Sequence, residues 1–143
     1  MTAASAAPVI SVVIPVRNDP VHLRACLERL AASRFAAFET IVVDDASTDD
    51  TADAAERFGA RVLRLEANAG PAEARNRGAR IARGRYLFFL DADVLVGPDT
   101  LARIEAAFRA DPSLDALFGS YDRSPSAPNL VSQYKNLFHH FAV

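Results

Sequence analysis

Short β-rich runs alternate with amphipathic helical runs along this chain, and that alternation leaves few folds open. Val9-Ile10-Ser11-Val12-Val13-Ile14 reads as a buried strand stopped by Pro15. Asp19-Pro20 then supplies an N-cap and a first-turn proline for a helix on which Leu23, Cys26, Leu27 and Leu30 recur at helical spacing. Thr40 to Val43 is a second strand, and the cap-rich, acidic run from Asp44 to Thr51 leads into a helix ending at Gly59. Arg61 to Leu65 is a third strand, and a helix opened by Gly70-Pro71 closes at Gly84. Tyr86 to Leu90 is a fourth; Gly97-Pro98-Asp99 starts a helix to about Ala110, and 116–121 reads as one more strand. Strands alternating with helices predict βαβ units, hence an α/β fold with a mainly parallel sheet and helices on both faces.

In such sheets ligands bind beyond the carboxyl ends of the strands. The polar punctuation falls there: Pro15-Val16-Arg17-Asn18, Asp44-Asp45 and Asp91-Ala92-Asp93. The last of these ends the apolar run YLFFLDADVLV. A strand alternates faces with period two, so Asp91 and Asp93 point to one side where the strand runs out. Like charges so close repel unless a cation lies between them, and a divalent metal, or a polar ligand bridged by one, is the candidate. The bland alternative is a solvated turn. For Asp44 and Asp45 the alternative is helix N-capping.

Composition excludes other classes. A chain of 143 residues, half of them hydrophobic, suits one domain. A net charge of −2 without a basic block removes the electrostatic footprint of a nucleic-acid binder. Cys26, the one cysteine, permits no internal disulfide and fits a reducing, cytoplasmic setting as a small core residue. The N-terminus lacks the pattern of a signal peptide, and no run approaches the roughly 20 apolar residues of a membrane span, so a soluble protein is expected. There is no GxGxxG after the first strand, no GxxxxGK[ST], no HExxH and no GxSxG.

The runs SVVIPVRND, ETIVVDDASTDDT and NAGPAEARNRGARIARGRYLFFLDADV, in this order and spacing, resemble the nucleotide-sugar-binding half of the family 2 glycosyltransferases over roughly residues 9 to 121. The resemblance implies a Rossmann-like GT-A fold, a nucleotide-diphospho-sugar donor with a UDP-sugar favoured, and Mn²⁺ or Mg²⁺ as cofactor. It also implies an inverting transfer to a sugar or lipid-linked acceptor, in work on a cell-envelope polysaccharide. It assigns donor binding to Pro15, Val16, Arg17, Asp45, Asn68, Gly70, Arg75, Asp91, Ala92 and Asp93. Among these, Asp45 accepts from a ring N–H of the base, Asp91 reaches the ribose and Asp93, with Asp91, holds the metal. An acceptor-only carboxylate suits base recognition. The helix N-terminus at Gly70-Pro71 suits an anion, and Arg75 adds a donor fork to a phosphate or base, although surface arginines more often solvate a helix. Hard oxygen ligands suit the metal.

Haloacid-dehalogenase-type phosphatases also begin with a hydrophobic strand and Asp-x-Asp, but near the N-terminus and with a lysine and a later acidic pair; here Asp44-Asp45 comes before and only Lys135 follows. The resemblance divides the chain into a flexible 1–8, a donor-binding domain at 9–122, and a loop and amphipathic helix at 123–143 leading into an absent acceptor half. The general base has no matching residue, so a partial enzyme is expected, with a binding module without turnover as the alternative. Leu130, Val131, Tyr134, Leu137, Phe138 and Phe141 form an apolar stripe suited to packing, to a homodimer or to a membrane surface.

Overall fold

The computed structural model describes residues 7–119, where strands and helices alternate without exception. The order is β1 (Ile10–Val16), α1 (Pro20–Ala31), β2 (Phe38–Asp44), α2 (Thr51–Arg57), β3 (Arg61–Arg64), α3 (Pro71–Ile81), β4 (Tyr86–Phe89) and α4 (Thr100–Ala110). All ladders are parallel and the sheet order is β3-β2-β1-β4. The first strand is thus central, the chain steps outward through β2 and β3, and α3 carries it back across to β4.

Side-chain alternation along β1 builds two cores. Ile10, Val12, Ile14 and Val16 pack with Leu23, Cys26, Leu27 and Leu30 of α1, Ala55 of α2 and Leu101 of α4. Val13 faces the other way, with Ile41 and Val43 of β2, Leu65 just after β3, and Ala74 of α3. β1 is therefore apolar on both faces, which explains its nearly unbroken Val/Ile run. Each buried leucine of α1 contributes about 1.5–3 kcal/mol, so packing outweighs the roughly 1 kcal/mol of its N-cap. That cap forms as the sequence predicts: the Asp19 carboxylate accepts from the His22 N–H at 3.2 Å, with Pro20 in the first turn.

Three expectations change. Pro15 does not stop β1, which continues through it in register with Val43. Val9 and Val13 turn their carbonyls to the β4 side, accepting from Tyr86 and Leu90. By the period of two Pro15 also faces that side, where its missing N–H ends the ladder just as β4 ends. Nor does Gly84 close α3, whose last helical residue is Ile81. A Cβ at Gly84 would lie 2.5 Å from the Ser11 backbone nitrogen, so this glycine permits a close crossing of β1. Finally, 116–119 form no strand, since no ladder partner pairs with them among the described residues. Ser120 and Tyr121, the 123–129 loop and the 129–143 stripe lie outside the described residues.

Below the sheet, Glu39 gathers the N-terminal ends of the strands. Its carboxylate accepts from the Ser11 hydroxyl at 2.7 Å, the Arg83 N–H at 2.7 Å and the Arg83 guanidinium at 2.9 and 3.0 Å. Burial pushes this carboxyl up, but the Ser11 and Arg83 donors outweigh it and hold it below the usual 4.5. A depressed carboxyl contributes stability that is present above the unfolded-state value and lost as pH falls through the folded one. Glu39→Gln is expected to cost about 1–2 kcal/mol at neutral pH and to flatten the loss of stability below about pH 4.5, read from urea unfolding at several pH values.

α3 meets the sheet at Gly78, where a Cβ would lie 2.4 Å from Val13 Cγ1 and 3.0 Å from Val43 Cγ2. Gly78→Ala is expected to destabilise by about 1–3 kcal/mol through overpacking, although alanine is the better helix former by about 1 kcal/mol. Thermal unfolding reads the balance, and a net gain would refute the close approach.

Candidate functional site

The loops after β1 and β2 are sewn into one surface. Asp45 donates its N–H to the Val16 carbonyl at 2.9 Å, carrying the ladder one residue past the end of β2. Asn18 adopts a left-handed conformation, φ 50°, that asparagine tolerates better than most residues. Its N–H donates to Ser47 Oγ at 2.9 Å and its side-chain oxygen accepts from the Thr48 N–H at 2.8 Å. Asp19 N–H donates to Thr51 Oγ1 at 3.1 Å. Asp44 is buried and belongs to the turn, accepting the Ser47 N–H on its side chain and the Leu65 N–H on its carbonyl. It does not cap α2, where Asp49 accepts from the Thr51 N–H.

Beside this surface lies a cavity of about 180 Å³ lined by Pro15, Val16, Arg17, Asp45, Asn68 and Pro71. Asp45 is 5 % exposed. Its two carboxylate oxygens accept the Ala69 N–H at 2.7 Å and the Gly70 N–H at 2.9 Å, so it holds the 68–70 loop against the strand end. Asn68 also accepts the Gly70 N–H, at 3.2 Å. Each carboxylate oxygen has a second lone-pair direction, leaving Asp45 acceptor capacity toward the cavity. Arg17 is exposed and makes no ion pair among the described residues. A larger hollow of about 340 Å³ lies at the opposite pole, around Phe38, Glu39, Arg61 and Arg83. The smaller cavity is the better candidate, because it sits beyond the carboxyl ends of the strands among convergent polar groups.

The acidic pair lies on a turn and not on the strand itself. β4 ends at Phe89, Leu90 makes the last bond to β1, and Val94 N–H closes a turn on the Asp91 carbonyl at 3.0 Å. Ala92 is buried in the α1-facing core while Asp91 and Asp93 are exposed, so the side-chain alternation outlasts the strand. The repulsion anticipated from the sequence is partly answered by the protein: Arg75 of α3 donates to Asp91 at 2.5 Å. Asp93 has no ion-pair partner among the described residues. Burial, with the Asp93 charge adding to it, pushes the Cys26 thiol up to about 12, so Cys26 is an inert core residue.

No three His, Cys, Asp or Glu side chains cluster among the described residues. A hard cation that takes one or two carboxylates and fills its remaining positions with water or phosphate oxygens fits this donor set. Asp93, exposed and free of a cationic neighbour among the described residues, is the carboxylate best disposed to hold it.

The structure thus places Pro15, Val16, Arg17, Asp45 and Asn68 around the cavity, and Gly70 at its edge through Asp45. Asp91, Ala92 and Asp93 form the separate acidic turn at the same end of the sheet, with Arg75 of α3 paired to it. Sequence reasoning missed the loop stitches of Asn18 with Ser47 and Thr48, and the Arg75 pairing. The density of Ser, Thr and Asp after β2 was the available signal, since these residues bond to nearby backbone.

The family model of glycosyl transferase family 2 matches residues 11–141. A PGL/p-HBAD biosynthesis glycosyltransferase of Mycobacterium tuberculosis is 38 % identical over 120 residues, covering 80 % of this chain and 47 % of the relative. The uncharacterized glycosyltransferase YibD of Escherichia coli is 40 % identical over 93 residues, covering 62 % of this chain and 27 % of its own length. Among solved structures, the mannosyltransferase PcManGT from Pyrobaculum calidifontis, in complex with GDP-Man and Mn²⁺, superposes with a TM-score of 0.74 at 28 % identity, covering 92 % of this chain and 39 % of that one. S. aureus TarS 1-349 in complex with UDP-GlcNAc gives 0.70 at 27 %, covering 81 % and 38 %. The chain spans less than half the length of each of these proteins.

The stitched loops give a test that needs no ligand. Asn18→Ala removes the bond to Thr48 and strains a left-handed residue, for an expected loss of about 1–3 kcal/mol. Asn18→Gly removes the same bond without the strain and is expected to lose less. Equal losses in urea unfolding would show that the backbone conformation carries no cost.

Proposed function

The chain belongs to glycosyl transferase family 2, and from that premise we propose that its cavity and acidic turn together bind a nucleotide-diphospho-sugar, a UDP-sugar first, for transfer to an acceptor hydroxyl with inversion. The observation that carries this reading is Asp45: a buried carboxylate fixed by two backbone amides, with acceptor capacity left toward a cavity walled by Pro15 and Val16. That arrangement suits a planar base presenting a ring N–H. The named ligands of TarS and PcManGT, UDP-GlcNAc and GDP-Man, support the donor class.

On this reading Pro15 and Val16 flank the base, Asp45 accepts from it, and Asn68 and Gly70 shape the wall. Arg17 and Arg75 lie where they add positive charge along the diphosphate, and Asp91 reaches the ribose. Asp93, with Asp91, would hold Mn²⁺ or Mg²⁺, the ion printed with PcManGT being Mn²⁺. When bound, such an ion supplies charge stabilisation to a departing nucleoside diphosphate. Inversion means that the acceptor oxygen attacks the anomeric carbon on the face opposite the leaving diphosphate, in one displacement. The carboxylate that removes the acceptor proton has no assignment in this chain, so we propose that it binds the donor and transfers poorly by itself. A sugar or lipid-linked acceptor on a cell-envelope polysaccharide, met at the cytoplasmic membrane surface through the 129–143 stripe, completes the proposal. No helix of the described residues is long and apolar enough to cross a membrane.

Calorimetry with UDP and GDP, each with Mn²⁺ or a chelator, tests donor binding. We expect binding in Mn²⁺ that weakens at least about tenfold on chelation or in Asp93→Ala, one such factor being worth 1.4 kcal/mol. Asp45→Asn, whose NH2 can accept neither from the backbone amides of the 68–70 loop nor from the base, is expected to weaken UDP similarly with Mn²⁺ present. Affinity indifferent both to metal and to Asp93→Ala would defeat the reading. Donor consumption with added acceptor separates a competent transferase from a binding module.

A further inference from the structure

The cavity and the acidic turn are separate features at one end of the sheet, and α3 runs from one to the other. Pro71, in its first turn, lines the cavity. Arg75 lies four residues on, on the same face of the helix. Its guanidinium reaches Asp91, donating from one terminal nitrogen to one carboxylate oxygen at 2.5 Å. The other arginines of α3 are differently placed, since Arg77 and Arg80 both pair with Glu73 of the helix itself. Arg75 is thus the one arginine of α3 whose charge goes to an acid of another element among the described residues.

The side chains of the pair are 33 % exposed at Arg75 and 56 % at Asp91. A single-point contact this open is weak, and a guanidinium binds the oxygens of a phosphate group more strongly than one oxygen of a solvated carboxylate. While the pair holds, the turn offers a cation one unpaired carboxylate, Asp93, next to a guanidinium. With Arg75 drawn to a diphosphate, the turn offers two carboxylates.

We propose that Arg75 is a positioning residue that occupies Asp91 in the free protein and releases it when a nucleoside diphosphate is bound, so that metal affinity stays low until the donor is present. On the donor reading above, on which this depends, Arg75 then has opposite effects on the two ligands. It weakens the metal alone, by tying up a carboxylate and adding a positive charge beside the turn, and it strengthens the diphosphate. By linkage, the factor by which the nucleotide raises metal affinity equals the factor by which the metal raises nucleotide affinity.

Two titrations of the full chain test this: Mn²⁺ alone, read from the electron paramagnetic resonance signal of the free ion, and UDP in saturating Mn²⁺, read by calorimetry. Arg75→Gln is expected to tighten Mn²⁺ alone about threefold and to weaken UDP about tenfold. Arg75→Lys, which keeps the charge, is expected to lie nearer the unsubstituted chain in both. The double variant Arg75→Gln with Asp91→Asn is expected to lose the gain in Mn²⁺ affinity, because that gain passes through the freed carboxylate. Loss of a merely structural arginine would weaken both ligands together. Arg75→Gln that fails to tighten Mn²⁺ overturns the proposal while UDP binding leaves the donor reading standing. So does a gain that survives Asp91→Asn, which would reduce Arg75 to a nearby charge. A chain that binds neither Mn²⁺ nor UDP overturns both.

Discussion

The unequal ladders of β1 set the geometry of everything at the functional end of this molecule. On one side β1 pairs with β2 along its whole length, from Ile10↔Phe38 to Val16↔Asp44. On the other it pairs with β4 only from Ile10↔Tyr86 to Val13↔Phe89. Pro15 is the physical cause, because the next rung on the β4 side needs an N–H that proline does not have. The chain after Leu90 therefore leaves the sheet while β1 and β2 continue, and a step opens in the carboxyl edge. Val16 and Asp45 stand on the high side of that step, and Asp91 and Asp93 on the low side.

The same asymmetry divides the labour of holding the two halves. On the high side the backbone does most of the work: Asp45 is fixed by two amides, and the β1 and β2 loops share bonds through Asn18 and Ser47. Hydrogen bonds to a buried carboxylate are expensive to break, so this half is preorganised. On the low side a single exposed ion pair, Arg75 with Asp91, offsets the local acid charge. Exposed pairs are worth about 0–1 kcal/mol, so that half yields readily to a competing charge.

Much of this was legible in the sequence, since hydrophobic period and cap chemistry are local properties. The βαβ alternation, the Asp19 cap and the class of fold needed only neighbours within a few residues. What stayed illegible depends on partners far along the chain. Pro15 reads as a strand terminator until β4 is known to end opposite it, for a proline in a central strand is admissible only where no rung is lost. Gly84 reads as a helix stop until Ser11, 73 residues away, is seen to hydrogen-bond its backbone. The acidic pair reads as a charge needing compensation, but nothing near it in sequence identifies Arg75, 16 residues earlier on another element, as a partner of Asp91.

That pairing also bears on how a metal would be held. A carboxylate already bonded to a guanidinium is a poorer ligand for a dication than one without, because the incoming charge must displace or share the first. Asp91 and Asp93, alike in sequence, are therefore unlike in chemistry: the first begins compensated by α3 and the second does not. On the proposed reading Asp93 would hold the cation. Asp91 would be free to share it where Arg75 pairs with another anion, and a diphosphate is the anion that the donor would bring. Donor and metal would then bind in mutual support, each relieving the charge imbalance created by the other. Such cooperativity requires no movement of the sheet, only the exchange of one weak surface pair for stronger ones at the ligand.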